Sequence, residues 1–171
     1  MKTLRKFSLA LLSMVLLFTL TSCGGSGAVS VDTAKVEKSV LSMMNTALGT
    51  DFTNDESLRS KADYIWDKVD NNGRIFWTQS IYFLEGENGE RFLVEPIYDS
   101  DTFGEDSKFQ LTTFTEEELK KYENTSKELL AQVKQKIRPA DNYTELTSLC
   151  VTARNISGKV YVVYVRELRS K

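Results

Sequence analysis

The chain has 171 residues, 41% hydrophobic and 27% charged, the profile of an ordinary globular domain rather than a membrane bundle, a disordered tail or a fibrous repeat. It contains no histidine, so mechanisms that need an imidazole base, a histidine metal ligand or a histidine pH switch are excluded. Two prolines and nine glycines exclude collagen-like and proline-rich architectures, and a formal net charge of −2 argues against a nucleic-acid partner.

The first segment reads as a targeting signal. Lys2, Arg5 and Lys6 form a basic start, Phe7 to Leu20 is mostly apolar, and Leu20-Thr21-Ser22-Cys23-Gly24-Gly25 follows. A run of about fourteen mostly apolar residues rises roughly 21 Å as a helix, short of the roughly 30 Å hydrocarbon core, so it fits a signal h-region better than a stable span. Leu20 to Cys23 resembles the lipobox of bacterial lipoproteins: leucine at minus three, two small residues, then the cysteine to be modified.

That resemblance covers residues 1–23 only. It implies that the Cys23 thiol receives a diacylglyceryl group, that cleavage falls between Ser22 and Cys23, and that the new amine is open to acylation. Each buried methylene contributes about 0.8 kcal/mol, so two or three acyl chains on one residue hold a protein to a bilayer without other contacts. The membrane is then a partner through the acyl chains on Cys23. Gly24 stands where an aspartate would be associated with inner-membrane retention, which points to the outer membrane in a Gram-negative cell; the acidic run that follows the cysteine in surface-exported lipoproteins is missing, the first acid being Asp32, which points to a periplasm-facing position. In a Gram-positive cell the same anchor implies the outer face of the cytoplasmic membrane.

Residues 1–22 would be removed, residues 23–31 form a lipidated flexible tether, and residues 32–171 form a single domain. The tether, Gly24 to Ser30, is glycine-rich and reaches only about 15 Å on average, so the domain would ride close to the membrane. Cleavage takes Lys2, Arg5 and Lys6 from the 22 basic residues, leaving 19 against 24 acidic ones, a net charge of −5. With Cys23 committed to lipid, Cys150 has no partner for a disulfide, and its setting in Leu149-Cys150-Val151 reads as a small buried hydrophobe.

Within the domain, helical signals come first. Val36, Val40, Met43, Met44 and Ala47 recur at helical spacing from Asp32 to Leu48, and Gly49 stands where a left-handed cap would end the helix. Thr53-Asn54-Asp55-Glu56 reads as a capping box for a second helix carrying Leu58, Ala62, Ile65, Trp66 and Val69. The competing reading makes Tyr64 to Val69 a strand joined through Asn72-Gly73 to the next; two agreeing helix signals favour the helix.

From Arg74 the pattern changes to strands at Ile75 to Phe83, Arg91 to Tyr98 and Phe109 to Phe114. Thr115-Glu116-Glu117-Glu118 is a further capping box, opening a helix to about Ile137 with Leu119, Tyr122, Leu129, Val133 and Ile137 as its buried stripe. A last hairpin pairs Leu149 to Ala153 with Val160 to Leu168 around Asn155-Ile156-Ser157-Gly158. The run Val160 to Val165 is apolar on both faces and so belongs in the middle of a sheet. The order α-α-β-β-β-α-β-β predicts an α+β domain: an antiparallel sheet of about five strands with helices packed mainly on one face.

Chemistry-bearing motifs are sparse. Asp99-Ser100-Asp101-Thr102-Phe103-Gly104 superficially resembles the start of an EF-hand loop, but Phe103 and Gln110 stand where ligands are needed. Asp99, Asp101, Glu105 and Asp106 therefore read as a solvated acidic loop. No cofactor, metal site or catalytic residue is implied. Asn124, Asn142 and Asn155 open sequon-like triplets, and Asp32-Thr33-Ala34 resembles a short bacterial O-glycosylation motif. Trp66, Phe76, Trp77, Tyr82, Phe92 and Tyr98 crowd the middle of the chain, enough to line a groove for a sugar, peptide or lipid tail. The simpler expectation is that they fill the seam between sheet and helix, with Trp66 and Trp77 both in the core. The whole fits a lipid-anchored, non-catalytic binding or accessory protein of the cell envelope; the alternative is a small envelope hydrolase working through paired carboxylates.

Overall fold

The computed structural model describes residues 31–98, 106–123, 126–137 and 144–171. Its elements run α1 (Thr33–Leu48), a 3-10 helix (Glu56–Ala62) continuing into α2 (Asp63–Trp66), β1 (Arg74–Phe76), a 3-10 turn (Trp77–Gln79), β2 (Tyr82–Glu85), β3 (Arg91–Pro96) and β4 (Lys108–Gln110). Then follow α3 (Glu116–Glu123), α4 (Lys127–Ile137), β5 (Thr144–Ile156) and β6 (Lys159–Ser170). The protein is α+β, with a four-stranded antiparallel sheet in the order β2-β3-β6-β5 and a separate antiparallel pair, β1 with β4.

β6 explains the layering. Val160, Val162 and Tyr164 point to one face of the sheet, where they pack with Leu149 and Val151 of β5 and with Val36, Val40, Met43 and Met44 of α1. Tyr161, Val163 and Val165 point to the other, against Cys150, Phe92 and Val94 and beneath Leu58, Ala62, Ile65 and Trp66. A strand apolar at every position must be covered twice, because successive side chains leave opposite faces. The expectation of helices mainly on one face is thereby corrected: α1, α3 and α4 contribute to one side, and the helical segment 56–66 covers the other.

Local chemistry sets the ends of these elements. Asp32 caps α1, its Oδ1 accepting from the Ala34 N–H at 3.0 Å, and Gly49 closes the helix at φ +72°, its N–H donating to Asn45 O at 2.8 Å. The second helical segment is capped by Asp55 rather than Thr53, the Asp55 carboxylate accepting from the Ser57 N–H. Tyr64 to Trp66 is helical, in agreement with the favoured reading. The capping box at Thr115 and Glu118 forms in both directions, with bonds of 2.8 and 3.2 Å. The hairpin turn is Ser157-Gly158, both at positive φ, the two-residue type whose twist matches its strands.

Two predicted elements are divided. The strand expected over 75–83 is interrupted at Trp77, so six strands replace about five. The break is made by Ser80: its N–H and Oγ both donate to Trp77 O, closing a 3-10 turn where an extended chain would continue. The helix expected from Thr115 to Ile137 consists of α3 and α4, and Asn124 between them lies outside the described residues.

Candidate interaction surface

Among the described residues, six large apolar side chains are exposed: Tyr64, Phe76, Trp77, Ile81, Tyr82 and Phe83. Five of them fall within residues 76–83, and the sixth is brought there by a ring stack, Tyr64 on Tyr82, with centroids 4.5 Å apart and planes 11° from parallel.

The segment is held by its polar neighbours. The Asp70 carboxylate accepts from the Asn72 and Arg74 N–H groups and from Lys108 Nζ, so the turn before β1 and the start of β4 are tied to one side chain. Gly73, at φ +71°, sits against Tyr161; a Cβ there would lie 2.2 Å from its ring, so this close approach requires glycine. Lys108 Nζ also lies 4.8 Å over the Phe76 ring. Trp77 donates its N–H to Ser107 O, and buried Ser80 holds the turn from the far side. Trp77, 54% exposed, is thus presented by a constrained backbone.

β2 is an edge strand, and its register shows which backbone groups are spare. Gly86 donates to Glu90 O, and Tyr82 and Leu84 lie opposite Val94 and Phe92 in the same alternation, so those residues exchange bonds with β3. The N–H and C=O of Phe83 and Glu85 therefore face outward, and no partner for them occurs among the described residues. Tyr82 shares the face of the 56–66 helix, whereas Phe83, 70% exposed, projects from the opposite face.

The six aromatics singled out in the sequence divide evenly. Trp66 is 5% exposed, with its Nε1–H donating to Thr152 Oγ1 at 2.9 Å; Phe92 is buried beneath Lys61; and half-buried Tyr98 stacks on Phe109 at 4.5 Å. Phe76, Trp77 and Tyr82 are exposed, so the expectation that Trp77 is a core residue is corrected. Burial of Trp77 fails because the 3-10 turn removes it from the strand alternation. Ile81, Phe83 and Tyr64 were missed, since their strand-like or helical setting reads as core.

Cys150 is buried and free, and burial pushes its thiol up to about 12, which disfavours the thiolate at neutral pH. Asp106 pairs with Arg74 at 2.7 Å, while Asp99, Asp101 and Glu105 lie outside the described residues, as do Cys23 and residues 24–30 of the tether. Val31, expected to end the flexible tether, is instead buried in the core beside α1, so the domain begins at that residue. Asn142 also lies outside them; Asn155 is exposed, and Thr33 is half-buried at the start of α1. Among the described residues, no group of three or more acidic or cysteine side chains is placed to hold a metal ion, and no helix is long and apolar enough to cross a membrane.

One buried polar cluster lies apart from this surface. Arg166 pairs with Glu95 and donates to Lys136 O and Ile137 O at 3.0 and 2.6 Å, satisfying the last carbonyls of α4. Tyr164 donates to Glu95 at 3.1 Å; its own ionisation is pushed up by burial and by that carboxylate. These contacts fasten α4 to the sheet.

Two half-buried carboxylates, Asp55 and Asp70, are held below their ordinary values. Hydrogen bonds from Ser148 and Ser57 hold Asp55 below its ordinary value, and burial at Asp70 is outweighed by Lys108 and two backbone N–H groups. The chain matches no family model, no curated protein and no solved structure.

Proposed function

We propose that this protein is a lipid-anchored, non-catalytic binding or accessory protein of the cell envelope, held through acyl chains on Cys23, with residues 76–83 and Tyr64 as its partner-binding surface. The observation that carries the binding part is the exposure of Trp77 and Phe83 on a backbone held in place by Ser80, Ser107 and Asp70. Five large apolar groups exposed within eight residues, on both faces of an edge strand and its preceding turn, are the concentration of exposed apolar side chains that marks an interaction site. Support for the anchor is the basic start, apolar run and lipobox-like Leu20 to Cys23.

Two measurements test this. Radiolabelled palmitate should enter the wild type and not Cys23→Ala; equal labelling would sink the anchor. A photo-crosslinking side chain at Trp77 should give a discrete adduct in intact cells, and one at exposed Lys159 should not. Identical adduct patterns at the two positions would remove the binding surface. Turnover of an envelope polysaccharide by the purified protein would replace the binding role with the hydrolase.

A further inference from the structure

The four-stranded sheet has two edges, and among the described residues only one is sealed. Along β5, Leu149 O accepts from the Asp55 N–H, Val151 exchanges two bonds with the Asn54 side chain, and the Ala153 N–H donates to Glu37. Along β2, the outward groups of Phe83 and Glu85 have no such partner among the described residues. We propose that β2 receives an extended segment of another polypeptide, which adds as an antiparallel or parallel strand, is apolar beside Tyr82 and Phe83, and carries a lysine or arginine beside Glu85. This deepens the proposed function and rests on residues 76–83 being the partner surface.

Three observations select that occupant. An arriving strand satisfies the N–H and C=O of Phe83 and Glu85, which is how exposed edges are used in peptide recognition. It also meets an aromatic wall on each face, Tyr82 with Tyr64 on one and Phe83 on the other, so both sides of the segment find apolar contact. Finally, Glu85 and Glu87 are exposed at the C-terminal end of β2, and Arg91, opposite Glu85 on β3, lies on the inner side of the edge; the remaining net negative charge favours a cation over an anion on the open side.

The same features disfavour two other occupants. Inserting this edge into lipid would strip water from its spare backbone groups and give them no partner. A second copy paired about a two-fold axis at Leu84 would satisfy all four groups but place Glu85 diagonally beside its own copy, a like-charge contact. A partner with a basic residue in that position has the opposite sign.

The test uses the full lipid-modified chain in detergent, with Trp77 emission and anisotropy of labelled short peptides as readouts. The probes are synthetic extended peptides with an apolar core and a lysine or a glutamate at one end, plus lysine peptides N-methylated on alternate amides. Lysine peptides should bind at least about tenfold more tightly than glutamate peptides. One of the two N-methylation registers should abolish binding. Glu85→Gln should remove the charge preference and keep binding, whereas Glu85→Pro, which deletes an outward N–H that β3 does not use, should lose it. If Glu85→Pro fails to fold, the N-methylated peptides on the wild type decide the question.

Equal binding of methylated and unmethylated peptides would overturn strand addition while leaving an aromatic binding surface. No peptide binding, with Trp77 crosslinks persisting in cells, would overturn it in favour of a different ligand class. Self-association lost in Glu85→Pro would overturn it in favour of a second copy. Absence of any adduct at Trp77 would instead remove the underlying surface.

Discussion

The edges of the four-stranded sheet meet the same chemical demand in opposite ways. At β5 the chain itself supplies the missing partners. α1 and the 56–66 helix lie on opposite faces, so residues 49–55 must cross the edge between them. In crossing, they leave Asn54 and Asp55 beside Val151 and Leu149, while Glu37 reaches round to Ala153 and Arg59. At β2 the chain turns away through Trp77–Gln79, and among the described residues the edge has no covering segment, with aromatic groups around it. An edge closed by topology has structural work, and an edge left open with apolar side chains is available for a partner.

The two tryptophans make the sharpest contrast. Trp66 lies under β5, buried and bonded to Thr152, so Trp66→Ala should destabilise the fold by about 3–5 kcal/mol. Trp77→Ala, near β2, should change stability by less than about 0.5 kcal/mol. Urea titrations followed by circular dichroism measure both. The emission should agree, with the Trp77→Ala variant blue-shifted and poorly quenched by iodide. Equal losses at the two sites would erase the distinction between the edges.

The next effect tests the seal itself. Asn54→Ala leaves the Val151 N–H and C=O without their side-chain partners and should cost about 1–3 kcal/mol. Cys150 adjoins Val151 on the opposite face, and its buried, raised thiol should react with a disulfide reagent only when β5 opens. Its labelling should be slow in the wild type and faster in Asn54→Ala. Fast labelling of the folded wild type would show that the β5 side is not closed.

Much of the sealed half was legible from the sequence because its signals are local. The stripe Val36 to Ala47, the Gly49 cap and the double-faced run Val160 to Val165 each appear within one element. The sealing contacts were not legible, since Asn54 and Glu37 find Val151 and Ala153 across most of the chain. The open half misled for a different reason. Ile75 to Phe83 has the composition of a buried strand, and nothing in that pattern tells that Ser80 folds back on Trp77 and turns the aromatics outward.

A smaller effect concerns Asp55, which caps the 56–66 helix and accepts from Ser148 of β5. Asparagine keeps a capping oxygen, so Asp55→Asn removes only the charge assistance of the bonds from Ser57 and Ser148 and should cost about 1 kcal/mol at neutral pH. The carboxylate is held below its ordinary value of 3.8 by Ser148 and Ser57, so its contribution is complete above that value and is lost as pH falls through the lower folded-state value. The gap between wild type and Asp55→Asn should therefore close on acidification below about pH 4. A gap that stays constant down to pH 2 would mean that the charge does not contribute to the seal.

The smallest stability effect belongs to Phe83→Lys. Phe83 is 70% exposed, so its ring contributes little buried area in the isolated chain, and lysine is a residue that edge strands carry readily. Its stem can lie along the face that held the ring while its ammonium stays in water beside Glu85, two residues on and on the same face. The expected change in the urea midpoint corresponds to less than about 0.5 kcal/mol. Partner contact should respond in the other direction: the adduct formed from Trp77 in cells should disappear, because the apolar wall on that face is gone and a cation stands where a basic segment must approach. A loss above about 1.5 kcal/mol would show that Phe83 is covered in the folded chain, and β2 would then be a second sealed edge rather than an open one.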